Sequence, residues 1–139
     1  MSRQTQLAKN RPSCTAPLPP HGLYRRYPEL PLLSRLTLKT ETGENYFVKL
    51  VDVTSQMSKM DFFAHGGAIL SANVPVGTFT VKYADGLVWC GEDELFGPDT
   101  LFQESERAFD FGVGNEWTIE LVRRRGGNLR TRYIKRSEF

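Results

Sequence analysis

The chain has 139 residues, 40% of them apolar and 12% aromatic, and a formal net charge of +2. That length fits one domain with its own core, needing no staples. The near-balanced charge excludes a global field aimed at a polyanion, and no window approaches the roughly 18 apolar residues of a membrane-spanning helix.

Residues 1–33 hold six of the eight prolines, at Pro12, Pro17, Pro19, Pro20, Pro28 and Pro31, and set five basic residues against Glu29 alone. Such a segment ladders poorly and reads as a disordered or extended N-terminal arm, ahead of a β-domain over 34–139. Tyr24, Tyr27 and the leucines around them are too apolar for a pure linker, so they lie along the domain or bind a partner. No apolar stretch follows Met1–Gln4, so no signal peptide is expected. Cys14 and Cys90 are two widely separated cysteines, read as free thiols in a reducing, cytoplasmic compartment.

From Arg35 the period becomes two. Leu36 and Leu38 alternate with polar neighbours, and a turn at 42–45 leads to a central strand over 46–53. Short strands over 60–64 and 69–74 flank His65–Gly66–Gly67. Pro75 and Gly77 mark a tight turn, after which Phe79, Val81 and Tyr83 alternate with Thr78, Thr80 and Lys82. Asp85–Gly86 predicts a hairpin back into 87–90. The stretch 91–107 is an acidic insertion read as a flap, with Leu95–Phe96 and Leu101–Phe102 held outward around the bend at Gly97–Pro98. Strands over 109–113, 116–123 and 129–134 follow, the last two joined as a hairpin by Gly126–Gly127. Short strands at this spacing without a long helical period predict an all-β antiparallel sandwich, Ig-like or transthyretin-like. Phe47 or Tyr46, Leu50, Phe79, Val81, Tyr83, Trp117, Ile119 and Leu121 are its expected core.

The run Val74–Pro75–Val76–Gly77–Thr78–Phe79–Thr80–Val81 resembles β-sandwich modules with a Pro-x-Gly-x-aromatic-x-Val turn, such as the bacterial PEGA-type repeats. From Asn45 to Thr100 the chain is similar to a group of uncharacterised small bacterial β-domain proteins. The shared elements include Tyr46–Asp52, Gly66–Gly67, Lys82–Gly86, Trp89 and Leu95–Thr100. This resemblance implies an all-β fold and brings no catalytic residue. In that group an aromatic residue tends to stand at the position of Cys90, which argues against a required thiol.

Charge is segregated: residues 1–35 sum to +5, 85–110 to −7 and 123–139 to +6. A Cys90–His65 dyad with Asp61 or Asp93 would need adjacency and a lowered thiol pKa, and His65 is more simply a turn residue. Glu92, Asp93, Glu94 and Asp99 lack the ligand spacing of a calcium loop, and no phosphate loop or nucleophile elbow is present. No enzyme, metal or cofactor is therefore expected. The reading is a non-catalytic protein-interaction module or inhibitor, from a bacterial mobile element. It would contact a protein partner, with a basic one favoured, through Tyr24, Tyr27, Leu95, Phe96, Leu101 and Phe102. The alternative is a nucleic-acid-binding module using Arg123, Arg124, Arg125, Arg130, Arg132 and Lys135 around Tyr133. A third reading is a homo-oligomer assembled through the arm.

Overall fold

A computed structural model of the protein describes Cys14 and residues 16–27, 30–122 and 130–139. It is an all-β sandwich, with no α-helix among the described residues. The strands are β1 (Gly22–Arg26), β2 (Ser34–Thr40), β3 (Asn45–Asp52), β4 (Ser58–Ala64), β5 (Ile69–Val74), β6 (Gly77–Gly86), β7 (Leu101–Ser105), β8 (Phe109–Phe111), β9 (Glu116–Leu121) and β10 (Thr131–Tyr133). The larger sheet runs β1-β4-β3-β6-β7-β10, and β8 pairs with the first residues of β6. The smaller sheet runs β5-β2-β9, with β2 and β9 parallel. The sandwich is thus mixed rather than purely antiparallel.

The inner face holds the main core. Leu36 and Leu38 of β2, Leu70 of β5 and Ile119 and Leu121 of β9 pack against Val48, Leu50, Phe62, Phe79, Val81 and Tyr83 of the larger sheet. The expected core residues are buried there, apart from Phe47, which is buried on the other face, and Trp117, which is partly buried at the margin. The outer face of the larger sheet is covered as well. Phe47, Phe63, Ala84 and Phe102 lie under Trp89, Leu95 and Phe96 of the 87–100 connection, with Tyr24 and Phe139 at the edge. Apolar cover on both faces explains why β3 and β4 read as nearly continuous apolar runs, whereas the strands of the smaller sheet alternate.

Several expectations about the connections and the arm change. Asp85–Gly86 is not a turn, because β6 continues through it and pairs with Asn45 and Tyr46. Gly86 is small for another reason: a Cβ there would collide with the Phe96 side chain. The stretches 116–123 and 129–134 are not a hairpin, since β9 lies in the smaller sheet and β10 in the larger, beside β7. The 91–107 stretch is not an outward flap. It contains β7, and it buries Leu95, Phe96 at 2% exposure and Phe102 at 6%, with Leu101 half-buried. Leu95 takes a left-handed φ of 58°, a conformation uncommon outside glycine. The boundary after residue 33 does not divide the fold either. β1, inside the expected arm, is an edge strand of the larger sheet.

The cysteines are not free thiols. Cys14 and Cys90 form a disulfide with Cα atoms 4.8 Å apart, which removes the thiol argument for a reducing compartment. Histidines reinforce the same attachment. The His65 amide donates to His21 Nδ1 at 2.9 Å, His21 Nε2 bonds the Ile69 carbonyl at 2.9 Å and His65 Nε2 that of Pro19 at 2.7 Å. Cys14 is therefore fastened covalently, and β1 is held by strand pairing.

Candidate functional site

The outer face is apolar on one side of Arg25 and Lys49 and open on the other. A bulge in β1 between Leu23 and Arg25 turns Tyr24 into the apolar cover, edge-on to Phe47 at 5.0 Å, while Arg25 stands opposite Asp61. Beyond that line lies a cleft of about 470 Å³, lined by Tyr27, Lys49, Met57, Lys59, Lys82 and Phe139 among others. Its rim is apolar and exposed, Tyr27 at 51% and Met57 at 65%. Its floor is formed by Lys49 and Val51 of β3, Ser58 and Lys59 of β4 and Lys82 of β6.

A hydrogen-bond network fixes the rim. Buried Asp61 accepts from the Tyr27 hydroxyl at 2.8 Å and from Ser58 Oγ at 2.6 Å. Arg25 donates to the Tyr27 hydroxyl at 3.0 Å and to both carboxylate oxygens of Glu92, each at 2.5 Å. The Arg25 contact holds the Glu92 carboxyl below the usual carboxylate range, against the smaller opposing effect of burial. Burial raises the Tyr27 phenol, so its hydroxyl stays protonated as a donor. On the floor, Lys49 Nζ lies 4.1 Å from the centre of the Phe139 ring and donates to the Phe139 main-chain oxygen at 2.9 Å. Lys82 Nζ donates to the Glu138 main-chain oxygen at 2.6 Å and stands 3.7 Å from Glu104. Burial pulls the Lys49 ammonium below the ordinary lysine value; Asp61 opposes this shift and Lys82 adds to it.

Of the residues expected to contact a partner, only Tyr27 is an exposed part of this site. Tyr24 is half-buried, Leu101 is half-buried in β7, and Leu95, Phe96 and Phe102 belong to the outer core. Arg123, Arg124 and Arg125 lie outside the described residues. Arg132 donates to Glu104 at 2.5 Å, and Arg130 and Lys135 are exposed. Cys90 Sγ is bonded to Cys14, so it is not a thiolate partner for His65. Among the described residues no three His, Cys, Asp or Glu stand together as a metal-binding group. No helix among them is long and apolar enough to cross a membrane.

Sequence reasoning gave Lys49 and Lys82 no binding role and raised Asp61 only as a carboxylate beside a Cys90–His65 dyad. For Lys49 and Asp61 the signal was present, since each is a lone charge between apolar neighbours in Val48–Lys49–Leu50 and Met60–Asp61–Phe62, whereas Lys82 falls on the polar side of an alternating strand. A charge at such a position must face water or a partner. Comparison with protein-family models, curated proteins and solved structures finds no match for the chain.

Proposed function

We propose that the protein is a non-catalytic protein-interaction module whose contact face is the cleft beside Tyr27. The observation that carries this reading is the exposed pair Tyr27 and Met57 on the rim of a basic cleft, with Tyr27 held in place by Asp61 and Arg25. Aromatic and methionine side chains are enriched at protein interfaces, and a fixed aromatic loses little conformational entropy on binding. The disulfide favours this use, because it anchors the arm residues that lead to Tyr27. Of the acidic residues once expected to attract a basic partner, Glu92 is paired with Arg25, and Asp93, Glu94 and Asp99 lie outside the cleft, whose charged lining side chains are Lys49, Lys59 and Lys82. That shifts the favoured partner from basic to acidic.

A photoreactive amino acid placed at Met57 or at Lys39, which is exposed on the smaller sheet, tests the reading in cells of the source organism. Crosslinking to a discrete protein from position 57 and not from 39 is expected. Equal crosslinking from both positions contradicts the cleft as the contact face.

A further inference from the structure

The charged residues of the outer face stand in one line across the larger sheet. Register places Arg25 opposite Asp61, Asp61 opposite Lys49, Lys49 opposite Lys82, Lys82 opposite Glu104 and Glu104 opposite Arg132. Sign alternates at every step of this line except Lys49 to Lys82. Directly opposed like charges on neighbouring strands destabilise a sheet, whereas opposed unlike charges stabilise it. The exception falls in the centre of the sheet, and both of its side chains line the cleft. Lys49 Nζ donates to the oxygen of Phe139, the last residue, and Lys82 Nζ to that of Glu138 with Glu104 3.7 Å away, and an ammonium's three N–H donors exceed these acceptors.

We infer that Lys49 and Lys82 seat a carboxylate side chain of an acidic protein segment, whose apolar neighbours lie against Tyr27 and Met57. The inference rests on the cleft being the contact face. A carboxylate over the two ammoniums supplies the sign missing from the line. Acids bound the lysine pair on both sides, Asp61 beyond Lys49 and Glu104 beyond Lys82. They would repel an extended polyanion such as nucleic acid while tolerating one compact carboxylate. Bidentate phosphate recognition favours an arginine fork. The nearby arginine of the line, Arg25, is already held by both oxygens of Glu92.

The test is fluorescence anisotropy with a labelled synthetic peptide in which Glu is flanked by Phe and Leu, and the same peptide with Gln for Glu. The unaltered protein is expected to bind the Glu peptide at least about tenfold more tightly, as one charged hydrogen bond supplies. Added salt should shrink that preference. Lys49→Gln or Lys82→Gln should abolish it, and Lys39→Gln should keep it. The comparison of the two peptides on unaltered protein stands even where a variant folds poorly. Equal affinity for both peptides, or binding of neither, overturns the inference. The Met57 crosslink then shows separately whether the cleft is still a contact face.

Discussion

Lys49 and Lys82 are directly opposed on neighbouring central strands, at the one break in sign along the charged line. An arrangement that costs stability without a ligand is a common mark of a binding position. Lys49→Met should therefore leave stability unchanged or raise it by up to about 1 kcal/mol, the range of a cross-strand pair. Asp61 would keep its bonds from Tyr27 and Ser58. Denaturant melts measure this, and a loss of several kcal/mol would show that Lys49 chiefly neutralises Asp61.

The two faces of the larger sheet have separate cores, and each should respond to truncation. Phe79 on the inner face packs edge-to-face on Phe111 at 5.6 Å, and Phe96 on the outer face does so on Trp89 at 5.3 Å. Phe79→Ala and Phe96→Ala should each cost about 3–5 kcal/mol. A Phe96→Ala protein as stable as the parent would mean that the 87–100 connection does not cover the outer face.

The disulfide should act locally. Replacing Cys14 and Cys90 together with serine is expected to cost about 2–4 kcal/mol. Amide hydrogen exchange in β1 should rise while β3 and β6 keep their protection. Uniform loss of protection would show instead that the arm is integral to the global fold.

Glu92 links the arm to pH. Its carboxyl is held low chiefly by the Arg25 hydrogen bonds, so the folded state binds its proton less readily than the unfolded state. This contribution is fully present above the ordinary glutamate value of about 4.5 and is lost as pH falls through the lower folded value. Glu92→Gln should therefore be less stable than the parent near neutral pH, and the gap should close below that window. The effect should be small, because both partners are about two-fifths exposed. A gap that is constant with pH would contradict the pairing.

Strands that alternate were legible because one face is wet: Leu36 and Leu38 of β2, and Ile119 and Leu121 of β9. The main core followed from them. The connections were less legible, since local chemistry has more than one cause. Gly86 beside Asp85 has the form of a hairpin turn, yet it is small to admit Phe96. The apolar pairs Leu95–Phe96 and Leu101–Phe102 look exposed between acids, yet they cover a second face whose existence depends on long-range pairing. The cleft was hidden for the same reason. Lys49 and Lys82 are 33 positions apart in sequence, and only strand register makes them opposite.

The central claim is that Lys49 and Lys82 together read a carboxylate. Selective isotope labelling of lysine side chains, followed by NMR during titration with the Glu peptide, observes it directly. Signals of Lys49 and Lys82 should shift together and saturate together, with Lys39 unmoved and the Gln peptide giving no such change. Saturable binding of the Glu peptide that leaves the Lys49 and Lys82 signals in place would contradict the claim.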